Sequence, residues 1–504
     1  MSFSFGKDNL TTAVLFDHIV NRKLDTKLSD EVIARINDFR KHVEAALASG
    51  RTIYGINTGF GYLSDVRIEA DKLTQLQENL VRSHACGVGD YASPEVVRGM
   101  LFLRVHTFSL GYSGITLNCV MTILSFLEHD ILPLIPSQGS VGASGDLAPL
   151  AHLALGFLGE GKVLYKGKVV PAKDALADAK IMPLKLSPKE GLSLINGTQY
   201  MTTLAALAVE EAKVLFHSAD IITALSLGAL RGTTRAFDAR VHAIRPQVGQ
   251  QLSAKRIREM YLEADPIMDS HADCSRVQDP YSFRCAPQVH GAAHDTLAYV
   301  ESKVNIELNS VTDNPLCFED GDMVSGGNFH GEPMAMAMDF LAIAASEIGS
   351  ISERRTEKLT NPNMSGLPAF LMKEGGLNSG YMIPHVVTAA LVSENKVLSH
   401  PASVDSIPTS ADKEDHVSMG PIAAWKARRI LKNVSNILSI ELLAACQGLD
   451  LLKPLEPNAK LKKIYDAVRH MSPGMEVDRS LHEDIVQVAD WLLKGELVKL
   501  VTVK

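Results

Sequence analysis

Along the chain, apolar residues recur mainly at three- and four-residue steps, the period of an amphipathic helix. Residues 202–230 form a long Ala- and Leu-rich stretch, and 334–352 and 385–399 are apolar with polar residues spaced for one or two wet stripes. Residues 421–447 open on a proline, suited to a first helical turn, and carry Ile430, Val434, Ile437, Ile440 and Leu443 at helical steps. Gly448 reads as the stop. Helices this apolar are stable inside a multi-helix bundle or across a subunit boundary, not alone in water. Strand signals are few: 162–170 reads as a short hairpin turning at Lys166-Gly167. Gly and Pro cluster in 133–145, 321–333 and 362–380, which predicts loops between helices. The expected fold is mainly α. A smaller mixed N-terminal region (1–200) precedes a long central helical bundle and a C-terminal helical region (201–504).

Composition permits a large core, since 46% of the 504 residues are apolar and 21% charged. A net charge of -8 argues against a nucleic-acid partner, which would need clustered Lys and Arg. The cysteines Cys86, Cys119, Cys274, Cys285, Cys317 and Cys446 are scattered, without a CxxC pair, and read as reduced thiols. The first nine residues lack an apolar stretch of the signal-peptide kind, and 201–230 is interrupted by Glu210, Glu211, Lys213 and Asp220. No membrane partner is therefore expected, and the cytoplasm is the expected compartment.

The most informative segment is Gly139-Ser140-Val141-Gly142-Ala143-Ser144-Gly145-Asp146-Leu147. Its glycine spacing matches neither dinucleotide nor P-loop patterns, which leaves two readings. One is a plain turn. The other is chemical. If the Gly145 nitrogen attacks the Ala143 carbonyl carbon and water leaves, a five-membered imidazolone closes. Loss of the Ser144 hydroxyl then leaves an exocyclic methylene. Gly offers an unhindered nitrogen and tolerates strained backbone, Ala is small, and Ser carries the leaving oxygen. Asp146 is placed to assist the dehydration.

The run Gly142-Ala143-Ser144-Gly145-Asp146-Leu147-Ala148-Pro149-Leu150-Ala151-His152 resembles the signature of the aromatic amino-acid ammonia-lyases. Matching segments recur in order from about Tyr54 to Met419, most of the chain. The resemblance implies a 4-methylidene-imidazol-5-one (MIO) group built from Ala143, Ser144 and Gly145, with no external cofactor. It also implies a homotetramer with active sites shared between subunits. Tyr54, in Tyr54-Gly55-Ile56-Asn57-Thr58-Gly59, becomes the base for the substrate β-proton; its phenol would need nearby positive charge or dipoles to work near neutral pH. Asn196, otherwise an Asn-Gly turn, becomes a contact of the substrate and the imidazolone. Arg284 holds the carboxylate through two parallel hydrogen bonds. Tyr281 tunes or protonates groups near the electrophile, Gln278 contacts the substrate amine or ring, and Phe329 packs near both.

Ser83-His84 and Glu414-Asp415-His416 look like the members that act on L-histidine, with His84 and Glu414 at the imidazole end. The implied reaction releases ammonia and trans-urocanate, the opening step of histidine degradation. A phenylalanine or tyrosine ammonia-lyase or aminomutase on the same scaffold is the alternative. Many relatives carry an amide where this chain has Lys413, a departure that leaves residue 413 without a role. The Gly-Ser-Ser type loop of fumarase-like lyases is not found. A non-enzymatic helical scaffold would leave the Ala-Ser-Gly loop and Arg284 unexplained. His290 and His294 are four apart, but without HExxH or a cysteine pair they read as core or interface residues. His330 has no metal-ligand spacing around it, and no metal is expected.

Overall fold

The computed structural model describes residues 3–22, 26–50, 52–63, 65–273 and 276–502. Met1, Ser2 and Cys274 lie outside the described residues. The other five cysteines are free thiols. As the periodicity predicts, helices dominate, the longest being Gln199–Leu230, Glu332–Thr360 and Gly420–Leu451.

The chain divides into two compact units. The first takes in Met1–Leu207 and two later stretches, Glu301–Met338 and Pro401–Trp425. At its centre runs the helix Pro94–Ser109, buried at every position from Val96 onward. Pro94 occupies the first turn, where a missing N–H costs nothing. The strands of this unit are short. The predicted hairpin pairs Lys162–Tyr165 with Lys168–Pro171. Lys166 (φ 48°) and Gly167 (φ 74°) make its two-residue turn, both in the left-handed region that a tight hairpin demands.

The second unit comprises Ala208–Val300, Asp339–His400 and Lys426–Lys504. Its helices are tied by a buried polar chain. His290 donates from Nδ1 to Asp220 Oδ1 at 2.8 Å, and its Nε2 accepts from Arg355 Nη1 at 3.3 Å. Arg355 grips Glu441 with two parallel bonds of 2.6 and 2.9 Å. Ser226 and Ser352 donate to the remaining lone pairs of Glu441 at 2.7 and 2.6 Å. Burial would raise the Asp220 carboxyl, but hydrogen bonds from His290 and His294 hold it well below the usual carboxylate range. His290 is pushed down by burial, consistent with a neutral ring that donates on one side and accepts on the other. His290 is thus a core residue and His294 is half-buried beside it, both bonded to Asp220.

One expectation changes. Gly448 does not stop its helix, which runs on to Leu451. A Cβ at Gly448 would lie 3.0 Å from that of Ala229, so the glycine permits close helix packing. The three longest helices are, by length and composition, long and apolar enough to cross a membrane. Their most apolar windows are 83, 67 and 83% buried inside the protein, so most of that surface is already covered.

Replacing Arg355 by Met keeps the volume but strands the buried Glu441 charge. Breaking such a pair should cost about 3–5 kcal/mol. Chemical unfolding followed by circular dichroism should show a lower midpoint; an unmoved midpoint would remove the pair from the stability of this unit.

Candidate active site

The Ala-Ser-Gly loop is fixed by its glycines. Gly145 has φ +77°, and a Cβ there would sit 2.1 Å from the Gly197 carbonyl oxygen. A Cβ on Gly142 (φ +68°) would meet Ser418 Oγ at 2.3 Å. The close approach lets the Asp146 N–H donate to Gly197 O at 2.7 Å. Asn196 Nδ2 donates to the Ser144 carbonyl oxygen at 2.7 Å, and the Gly197 N–H points to the same oxygen from 3.4 Å. The Ser144 hydroxyl donates to Glu414 Oε1 at 2.8 Å, and Thr409 Oγ1 holds Glu414 Oε2 at 2.8 Å. Ser144 therefore has its carbonyl polarised on one side and its hydroxyl engaged on the other.

Asp146 lies at the start of the helix Leu147–Phe157 and is fully buried. Burial pushes its carboxyl up to about 7, against N–H donors from Met201 and Tyr200 and the charge of Arg104. A group of that strength can give or take a proton near neutral pH.

Ala143, Ser144, Asn196 and Glu414 line a cavity of about 610 Å³ that also receives Tyr54, His84 and Phe329. The fold brings Tyr54, His84, Ala143, Ser144, Asn196, Phe329 and Glu414 to one place. His84 Nδ1 lies 2.9 Å from Leu80 O and 3.0 Å from Ser83 Oγ, which itself donates to Leu80 O; the tautomer that donates from Nδ1 to the carbonyl leaves Nε2 as an acceptor. Burial lowers the His84 pKa, with the Leu80 carbonyl and the Glu414 charge opposing. The Tyr54 phenol, expected to be brought down, is instead raised by burial and by Glu414, against a backbone hydrogen bond from Gly61.

Gln278, Tyr281 and Arg284 do not line this cavity. They belong to the second unit, where Gln278 is exposed and Tyr281 is 71% exposed. The short helix Tyr281–Arg284 does put both side chains on one face, with the guanidinium 4.6 Å over the phenol ring. Lys413, left without a role, stands on the cavity wall, as does Asn314, which sequence reasoning missed. Asn314 ties together part of the wall, its Nδ2 donating to Ser325 Oγ at 3.0 Å and its Oδ1 accepting from the Gly326 N–H at 2.8 Å. The polar run Thr312-Asp313-Asn314 ahead of Pro315 was its signal. His330, Glu332 and His416 each bring one potential metal-ligand atom within 4.8 Å of the others. No spacing in the chain shows this cluster, because residues 332 and 416 meet only through folding.

The aromatic amino acid lyase family model matches residues 11–470. The histidine ammonia-lyase of Alkaliphilus oremlandii is 49% identical over 485 residues, covering 96% of this chain and 95% of that protein. Histidine ammonia-lyase from Trypanosoma cruzi superposes with a TM-score of 0.92 at 46% identity, covering 99% of this chain and 95% of that one. Tyrosine aminomutase from Streptomyces globisporus gives a TM-score of 0.93 at 38% identity, with 99 and 98% covered. The chain belongs to the aromatic amino acid lyase family.

Gly145→Ala would combine a strained φ with overlap on Gly197. It should lower the thermal unfolding midpoint by the equivalent of at least about 1–3 kcal/mol; an unchanged midpoint would mean that the two backbones can separate freely. Glu414→Gln removes a negative charge that raises the Tyr54 phenol, so its ionisation should move to lower pH. Ultraviolet difference titration against Tyr54→Phe reads this directly, and an unmoved midpoint would show that the two groups do not interact.

Proposed function

We propose that this chain is a histidine ammonia-lyase, eliminating ammonia from L-histidine to give trans-urocanate. The observation that carries the reading is one cavity holding the engaged Ser144, the acceptor nitrogen of His84 and the Glu414 carboxylate. The high identity to proteins of that name over nearly the whole chain supports it.

The Ala143-Ser144-Gly145 loop suits conversion to a 4-methylidene-imidazol-5-one. Only glycine fits at 145, and Asn196 already holds the oxygen that would become the ring carbonyl. Asp146 is poised to pass protons during dehydration. When formed, the group supplies an electrophilic carbon that ordinary side chains lack.

The substrate imidazole donates an N–H to His84 Nε2 and sits beside Glu414. Leaving such a ring unpaired in a buried site costs about 1–3 kcal/mol, which sets histidine apart from phenylalanine. Phe329 packs the ring side of the cavity. Tyr54 takes the β-proton. Its phenol stands above the ordinary value in the protein alone, and the positive charge of the substrate is the group that lowers it. Arg284 clamps the carboxylate, with Tyr281 and Gln278 beside it. Because these three are absent from the cavity wall, the reading includes a homotetramer whose sites combine several copies. An open groove of about 650 Å³ in the second unit, with Tyr299, Phe340 and Ile343 exposed, is apolar surface for such contacts. The free thiols suit the cytoplasm.

Purified protein given L-histidine should accumulate urocanate, and intact mass should fall short of the encoded mass by two waters. Ser144→Ala should lose both properties. His84→Leu should keep the mass deficit but reduce kcat/KM for L-histidine roughly tenfold or more, the worth of one buried hydrogen bond. A wild type that prefers L-phenylalanine or L-tyrosine would reassign the substrate. Full activity in Ser144→Ala would falsify the electrophile.

A further inference from the structure

Arg104 lies in the middle of the first unit, on the helix Pro94–Ser109, with no exposed surface. Among the described residues it has no ion pair. Its Nη2 donates to the carbonyl oxygens of Leu194 and Asn196, at 3.1 and 2.8 Å. Its Nε and Nη1 are buried without any hydrogen-bond partner, and the Phe108 ring lies 5.3 Å from the guanidinium carbon. Burial brings its pKa down to about 10, with the charges of Asp313 and Asp146 opposing, so it remains a cation at neutral pH. A buried cation with two idle donors is a poor stabilising device, since each orphaned group costs about 1–3 kcal/mol. Its placement calls for another explanation.

The two carbonyls it binds lie at the C-terminal end of the helix Glu190–Ile195. Such carbonyls lack intrahelical partners and carry the negative end of the helix dipole, so a guanidinium there is an effective cap. Asn196 is the residue whose Nδ2 holds the Ser144 carbonyl. The peptide between Asn196 and Gly197 joins the two ends of a relay. Its oxygen accepts from Arg104 at 2.8 Å, and its N–H lies 3.4 Å from the same Ser144 oxygen. A cation on the oxygen of a peptide strengthens the donor at its nitrogen.

We propose that Arg104 is a positioning residue for the electrophile, holding and polarising the Asn196–Gly197 peptide against the Ser144 carbonyl. In ring closure, a bond forms between Gly145 N and the Ala143 carbonyl carbon. The Ala143 oxygen leaves as water with the hydrogens of Gly145 N and Ser144 N. In the second step the Ser144 Cα–H and Cβ–OH leave as water, and a Cα=Cβ double bond remains; no oxidant is needed. Electron withdrawal through the Ser144 carbonyl acidifies that Cα–H and then sharpens the methylidene carbon as an electrophile. Preorganised donors at such an oxygen act before and after the group is made.

The proposal rests on the electrophile reading, and intact mass separates the two. Wild type, Arg104→Lys, Arg104→Met and Phe108→Leu would be compared by mass spectrometry, circular dichroism, thermal unfolding and kinetics with L-histidine. Phe108→Leu loosens the same core with Arg104 in place. It should keep the two-water deficit. Arg104→Lys offers a point charge in place of a fork and should fold with wild-type helix content. It should nevertheless accumulate species that have lost one water or none. In its fully converted fraction, kcat should fall about tenfold or more with KM within about threefold. Complete two-water loss with wild-type kcat in both Arg104 variants would overturn the proposal, whatever their melting points. Failure of both variants to fold would also overturn it, by making Arg104 a folding residue. A wild type with no deficit would sink the electrophile reading instead.

Discussion

Two glycines set the first unit. Gly145 and Gly197 cross so closely that a side chain on Gly145 would lie inside the opposing backbone. That crossing presents the Ser144 carbonyl to Asn196, and it brings the Asp146 N–H onto Gly197. It also places the Asp146 carboxylate 3.0 Å from the Met201 N–H, near the start of the helix Gln199–Leu230. Two helix starts thus converge on one buried acid. The dipoles favour its charged form, yet burial is the larger effect and leaves it balanced near neutrality. One contact that only glycine permits therefore sets both the shape of the tripeptide and the strength of the acid beside it.

Glu414 organises the rest of the cavity through its charge. It accepts from Ser144, opposes the lowering of the His84 pKa and adds to the raising of the Tyr54 phenol. In each case it makes a neighbouring positive charge more welcome and a negative charge less so. The charge of Glu414 thus works against ionisation of the Tyr54 phenol. On the proposed reading, in which Tyr54 is the base, a cationic substrate reverses that bias on entry.

Much of this was legible in the chain. The long helices follow from three- and four-residue periodicity, and the hairpin from Lys166-Gly167. Ala143-Ser144-Gly145 stood out because the order of a small residue, a hydroxyl and a glycine has a chemical meaning that a turn does not require. Gly448 was misread because a glycine near the end of a periodic run looks the same whether it ends a helix or admits a neighbouring one. The His330, Glu332 and His416 cluster was hidden because it depends on contact between distant stretches, whereas Asn314 stood in a polar run whose place on the cavity wall only folding reveals. The direction of the Tyr54 shift was hidden too, since burial and the nearness of Glu414 are tertiary quantities. Arg104 gave no signal at all. An arginine in an apolar helix reads as part of a face turned to water, and here the helix is buried from Val96 onward, Arg98 and Arg104 included.

The doubly bonded Arg355–Glu441 pair has a consequence for how this sequence can change over time. Either residue alone is locked, because its loss leaves a buried, uncompensated charge. Replacing both together strands no charge, and apolar residues in place of a buried ion pair are often neutral or better once Ser226, Ser352 and His290 find other partners. Single-step drift cannot reach that alternative without crossing an unstable intermediate. The pair is therefore expected to persist in descendants as a historical commitment, kept by the difficulty of leaving it.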